Sequence, residues 1–111
     1  MSTTNLKHCL VTDTVRGVLY GKVDFDRYLA AAEAGQPVCS VVVREGRQVF
    51  SWDMAAGKDA GLYGVAKSGL LPSSRVSVVL DTAIVVANPS KVIECSAASV
   101  ASFAKVAAWQ R

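Results

Sequence analysis

The sequence predicts an α+β domain: a mostly antiparallel sheet of about five or more strands with two to three helices packed on it. Short runs rich in Val, Leu and Ile recur along the chain, broken by Gly, Asn, Asp and Pro, the pattern of strands joined by turns. Between them lie segments with apolar residues at helical spacing, which open on the capping residues Asp24 and Ser96. Of the 111 residues, 51% are hydrophobic and 19% charged, enough apolar material for one core and too little charge for disorder. A single domain over residues 1–111 is therefore expected.

Each element has its own signal. Residues 1–7 are polar and are expected to fray. Leu10-Val11 and Val15 to Val23 read as strands around a Thr12-Asp13-Thr14 turn, with Gly17 and Gly21 weakening the second or marking a bulge. Asp24 caps a short helix whose Phe25, Tyr28, Leu29 and Ala32 share one face, and Asp26 favours its positive end. Gly35 and Pro37 end it. Val38 to Arg44 and Arg47 to Met54 are expected to pair as a hairpin around Glu45-Gly46. In that register Val43 faces Gln48, Val41 faces Phe50 and Cys39 faces Trp52, and this more apolar row is expected to point to the core.

Ala55 to Ser68 reads as a weak helix with Leu62, Val65 and Ala66 in helical spacing, since Gly61 and Gly64 each cost about 1 kcal/mol against Ala. Gly69 and Pro72 stop it. Arg75 to Leu80, Ala83 to Ala87 and Lys91 to Cys95 follow as three strands, with turns at Asp81-Thr82 and Asn88-Pro89-Ser90. The middle one is apolar on both faces and is expected at the centre of the sheet. Ser96 caps a last helix, Ala97 to Gln110. The predicted order is β-β-α-β-β-α-β-β-β-α. From Asp24 onward this element order resembles the roadblock/longin-type and profilin-like arrangement.

The chemistry is sparse. His8 is the one histidine, the nine carboxylates are scattered, and Cys9, Cys39 and Cys95 lie far apart with no Cys-x-x-Cys spacing. No metal or cofactor is expected from such a set. The three cysteines are expected to be reduced and packed as small hydrophobes inside apolar runs. His8 and Cys9 adjoin, but neighbours on a strand point to opposite faces. Asp24 and Asp26 could pass for a paired-carboxylate site and are better explained by the helix start. The net charge is +3, with Lys and Arg spread from Lys7 to Arg111 and no run of three, which argues against nucleic-acid binding. The start lacks an apolar targeting core. The longest apolar stretch, Val76 to Ala87, is interrupted by Asp81 and Thr82 and falls short of the ~20 residues of a membrane span. The expectation is a soluble cytoplasmic protein with no membrane contact.

The segment from Gly57 to Gly64 invites an anion-loop reading in which Gly57, Lys58 and Gly61 hold a ligand. Its details fit poorly. Asp59 follows Lys58 where a phosphate loop needs Ser or Thr, and the glycine spacing is not that of a dinucleotide loop. A loose helix whose glycines allow close packing is the better account.

The last helix carries the strongest signal. On a wheel of ~100° per residue, Val100, Phe103, Ala104 and Ala107 form the sheet-facing side. Val106 and Trp109 fall instead among Ser99, Ser102 and Lys105. An exposed Val and Trp three residues apart mark Val106, Trp109, Ser102 and Lys105 as an interface, Trp being enriched at binding hot spots. The expected function is a non-enzymatic protein-interaction module of adaptor or inhibitor type, binding a protein partner or forming a homo-oligomer. Two alternatives stand beside it: a small-ligand or nucleotide sensor using the Gly57–Gly64 segment, and a small enzyme using His8 with a Cys or Asp brought close by folding.

Overall fold

The computed structural model describes residues 6–13, 17–36, 39–51 and 62–109. In chain order they form β1 (Lys7–Thr12), β2 (Val18–Val23), α1 (Phe25–Glu33), β3 (Ser40–Ser51), α2 (Leu62–Ser68), β4 (Arg75–Val76), β5 (Ile84–Ala87), β6 (Lys91–Glu94) and α3 (Ala97–Lys105). The strands make one antiparallel sheet in the order β4-β3-β2-β1-β6, with β5 also paired to β3. The α+β class is the one predicted, and the element order departs from the prediction at one place. Among the described residues no helix is long and apolar enough to cross a membrane.

That place is the expected hairpin. Val38 to Met54 does not fold back at Glu45-Gly46. Its described part is one strand, β3, which runs straight through them. Tyr20 pairs with Arg47 and Lys22 with Arg44, so three steps on β3 match two on β2. The extra residue is a bulge, and Glu45 takes the left-handed conformation there at φ 52. Glu-Gly chemistry serves a bulge as well as a turn, because both need a residue at positive φ. Long-range partners on both edges of β3 decide between them.

The second partner is also straighter than expected. Ser51 pairs with Arg75, Val49 with Val76, Val43 with Ile84 and Ser40 with Ala87. Between these, Ser77 N donates to Gln48 O and Leu80 N to Gly46 O, each at 2.8 Å. Arg75 to Ala87 therefore follows one edge of β3 throughout, and Asp81-Thr82 is an irregular stretch beside the bulge and not a reversal. β5 lies beside β3 alone, and Val85 is 64% exposed. The central position predicted for it is corrected: an apolar run here means an edge strand with an uncovered face.

The bulge has a packing consequence. Side chains alternate between faces along a strand, and one inserted residue reverses the phase. Before the bulge Val41 and Val43 join Cys9, Val11, Val23 and Val86 on the face that Phe25 and Tyr28 of α1 cover. After it Val49 joins Leu10, Val18 and Tyr20 on the face covered by α2 and α3, with Val65, Phe103 and Val106. One strand thus supplies both cores. Gly21 on β2 must stay bare opposite this kink, because an added Cβ would lie 2.5 Å from Val43 Cγ1 and 2.9 Å from Gly46 Cα.

The ends of α1 and α3 follow the sequence at three of four places. Asp24 accepts from Arg27 N at 3.3 Å and Ser96 from Ser99 N at 3.1 Å. Gly35, at φ 75, ends α1. The exception is α3, which stops at Lys105 and not at Gln110. Val106 turns extended, at φ −84 and ψ 120. The chain then runs beside β4, with Trp109 N donating to Val76 O at 2.8 Å.

Candidate functional site

That early stop redraws the expected interface. Val106 is 4% exposed and belongs to the main core. Its placement on an open helix face is corrected, because the helical wheel does not apply beyond Lys105. Ser102 is half-buried, and its hydroxyl accepts from Leu70 N at 3.1 Å and donates to Ser99 O at 2.7 Å, tying α2 to α3. Lys105 is exposed in the last turn of α3. Trp109 is 39% exposed. Gly57, Lys58 and Gly61 lie outside the described residues, as does Trp52.

Trp109 has neighbours that sequence periodicity did not connect to it. Its ring centroid lies 5.6 Å from that of Phe50, at a tilt of 56°. The Arg75 guanidinium sits 5.2 Å from the Trp109 centroid, a cation held on an aromatic face. Phe50 was expected in the core, paired with Val41. It is 50% exposed. It sits at a second register shift of β3, between Val49 and Ser51 against β4, where regular alternation is broken and the ring is left open. None of the side chains packed around α1 in that core comes from this end of β3. Phe50, Trp109 and Arg75 therefore form an open aromatic and cationic cluster at one end of the sheet. Val78 and Val79, next along the same edge, are also exposed. No local pattern in the sequence announces the cluster, because its members come from β3, β4 and the chain beyond α3.

The reactive groups are placed elsewhere. His8 stacks on Tyr20, centroids 5.3 Å apart, and Tyr20 on Phe103 at 3.7 Å. Burial, with Lys22 adding to it, lowers the His8 pKa. Cys9 lies across the sheet in the α1-side core. Burial pushes its thiol up to about 12 and that of Cys95 up to about 11, so neither supplies thiolate at neutral pH. Cys39 was expected in the core and is exposed, because β3 begins only at Ser40 and the row it was assigned to is not covered there. Asp26 is ion-paired with Lys7 at 3.0 Å, and Asp24 is committed to its cap. Among the described residues no group of three or more His, Cys, Asp or Glu could hold a metal ion.

Arg47 of β3 is buried against the end of α3. Its Nε donates to Ser77 O at 2.8 Å, Nη1 to Phe103 O at 2.7 Å and Nη2 to Val106 O at 2.8 Å. One guanidinium thus ends α3 and fixes the turn that carries the chain on to Trp109. A cation also suits the negative end of the α3 dipole.

Residues 6–103 match a protein family described as a domain of unknown function (DUF6948). The chain belongs to that family. No curated protein and no solved structure matches it.

Proposed function

We propose that this member of the DUF6948 family is a non-enzymatic protein-interaction module that self-associates through the Phe50, Trp109 and Arg75 cluster. The single observation behind it is two large aromatic rings left open beside a guanidinium at the end of β3 that contributes nothing to the core under α1. Trp and Arg are the residue types most enriched at binding hot spots. The Arg75 charge already rests on the Trp109 ring, so the patch does not demand a carboxylate from its partner. A twofold contact needs a patch that complements itself, and tilted aromatic pairs can stack on their own copy.

Phe50→Ala tests this. Because Phe50 is half exposed, its removal is expected to cost about 1 kcal/mol of stability, not the ~3–5 kcal/mol of an emptied core site. Sedimentation should show the wild type as a dimer and the variant shifted toward monomer. A wild type that stays monomeric at high micromolar concentration contradicts self-association, and an unchanged mass for the variant contradicts the surface.

A further inference from the structure

A second surface lies at the opposite end of β3. Pairing with β2 ends at Lys22 and Arg44, because Val23 is followed at once by the Asp24 cap of α1. β3 continues to Ser40 with only β5 beside it. Backbone groups alternate in direction along a strand. Asn88 N donates to Cys39 O at 2.7 Å, so Cys39, Val41 and Val43 address the β5 side. Ser40 and Val42 address the other side, where no strand pairs with them among the described residues. That side is a cleft of about 870 Å³ between α1 and β3.

The cleft has an apolar wall and two cations. Val23, Val41 and Tyr28 line it, together with Arg27 from α1 and Arg44 from β3. Neither arginine makes an ion pair among the described residues, whereas nearby Lys22 is held by Glu45 at 3.0 Å. Asp24 also lines the cleft and already accepts from Arg27 N. An open strand edge flanked by a helix is the setting for strand addition, in which backbone bonds give affinity and side-chain pockets give specificity. We propose that this cleft takes an extended acidic segment of a partner protein as an added strand along Ser40–Val42, with its carboxylates paired to Arg27 and Arg44. The site is separate from the Phe50 and Trp109 cluster and does not depend on self-association.

The test uses the full chain and a short capped peptide of alternating glutamate and valine, followed by NMR. The Ser40 and Val42 amides should shift on titration and exchange more slowly with solvent. The paired exposed-residue change Arg27→Glu and Arg44→Glu should weaken binding by about tenfold or more at low salt while the spectrum stays that of the folded protein. The same peptide with lysine for glutamate should not bind. The proposal is overturned if the Ser40 and Val42 amides do not respond, or if the double variant binds equally well. It is also overturned if backbone N-methylation of the peptide leaves affinity unchanged. Matching shifts from free glutamate would replace the added strand with a small-anion site.

Discussion

Arg47→Met is expected to lower the unfolding free energy by about 3–5 kcal/mol, a large share of the ~5–15 kcal/mol that holds a domain of this size. The side chain is buried and donates three hydrogen bonds to backbone carbonyls of Ser77, Phe103 and Val106. A hydrogen bond from a charged donor contributes about 1.5–3 kcal/mol, and a buried carbonyl left without a donor costs about 1–3 kcal/mol. Methionine fills much of the volume but supplies no donor, so Ser77 O and Val106 O lose the guanidinium and Phe103 O keeps only the weaker bond from Val106 N at 3.2 Å. Burial lowers the Arg47 pKa, yet a guanidinium stays charged at any pH where the protein is studied. Arg47→Lys should recover only part of the loss, because an ammonium cannot reproduce the planar fork. Urea unfolding measures both. A loss below about 1 kcal/mol for the methionine variant would mean that α3 is held without the clamp.

Phe103→Ala is expected to cost a similar ~3–5 kcal/mol. Phe103 is fully buried at the centre of the core between the sheet and α3. Its ring stacks on Tyr20 at 3.7 Å with the planes 6° apart. Truncation removes the ring contact and leaves a cavity between two elements that Arg47 holds in place, so collapse around the gap is restricted. Phe103 O is itself an acceptor of Arg47, and the two substitutions should therefore not be additive. A double-variant cycle by urea unfolding checks this. A loss near 1 kcal/mol for Phe103→Ala alone would place the ring outside the core.

Local chemistry made much of this fold legible. Asp24, Gly35 and Ser96 mark helix ends because their side chains, or the lack of one, satisfy local backbone groups. What stayed hidden depends on partners distant in sequence. Glu45-Gly46 carries the chemistry of a turn, and only β2 and the Arg75–Ala87 edge make it a bulge. Helical spacing continues past Lys105, and the stop there is imposed by Arg47 of β3, far away in sequence. Of the candidate site, Trp109 was visible as an apolar residue out of place. Phe50 and Arg75 were not, since only the sheet brings them to it.

Val106 and Trp109 stand three residues apart and are assigned opposite work: one holds the fold, the other holds a second copy. Sedimentation and thermal unfolding of Val106→Ala and Trp109→Ala, run side by side, test that division most directly. Val106→Ala should lose about 2 kcal/mol, read as a lower unfolding temperature, and keep the wild-type mass while folded. Trp109→Ala should keep an unfolding temperature close to wild type and lose mass toward the monomer. If Trp109→Ala instead unfolds at much lower temperature with unchanged mass, the tryptophan belongs to the fold and the proposed interaction surface is wrong.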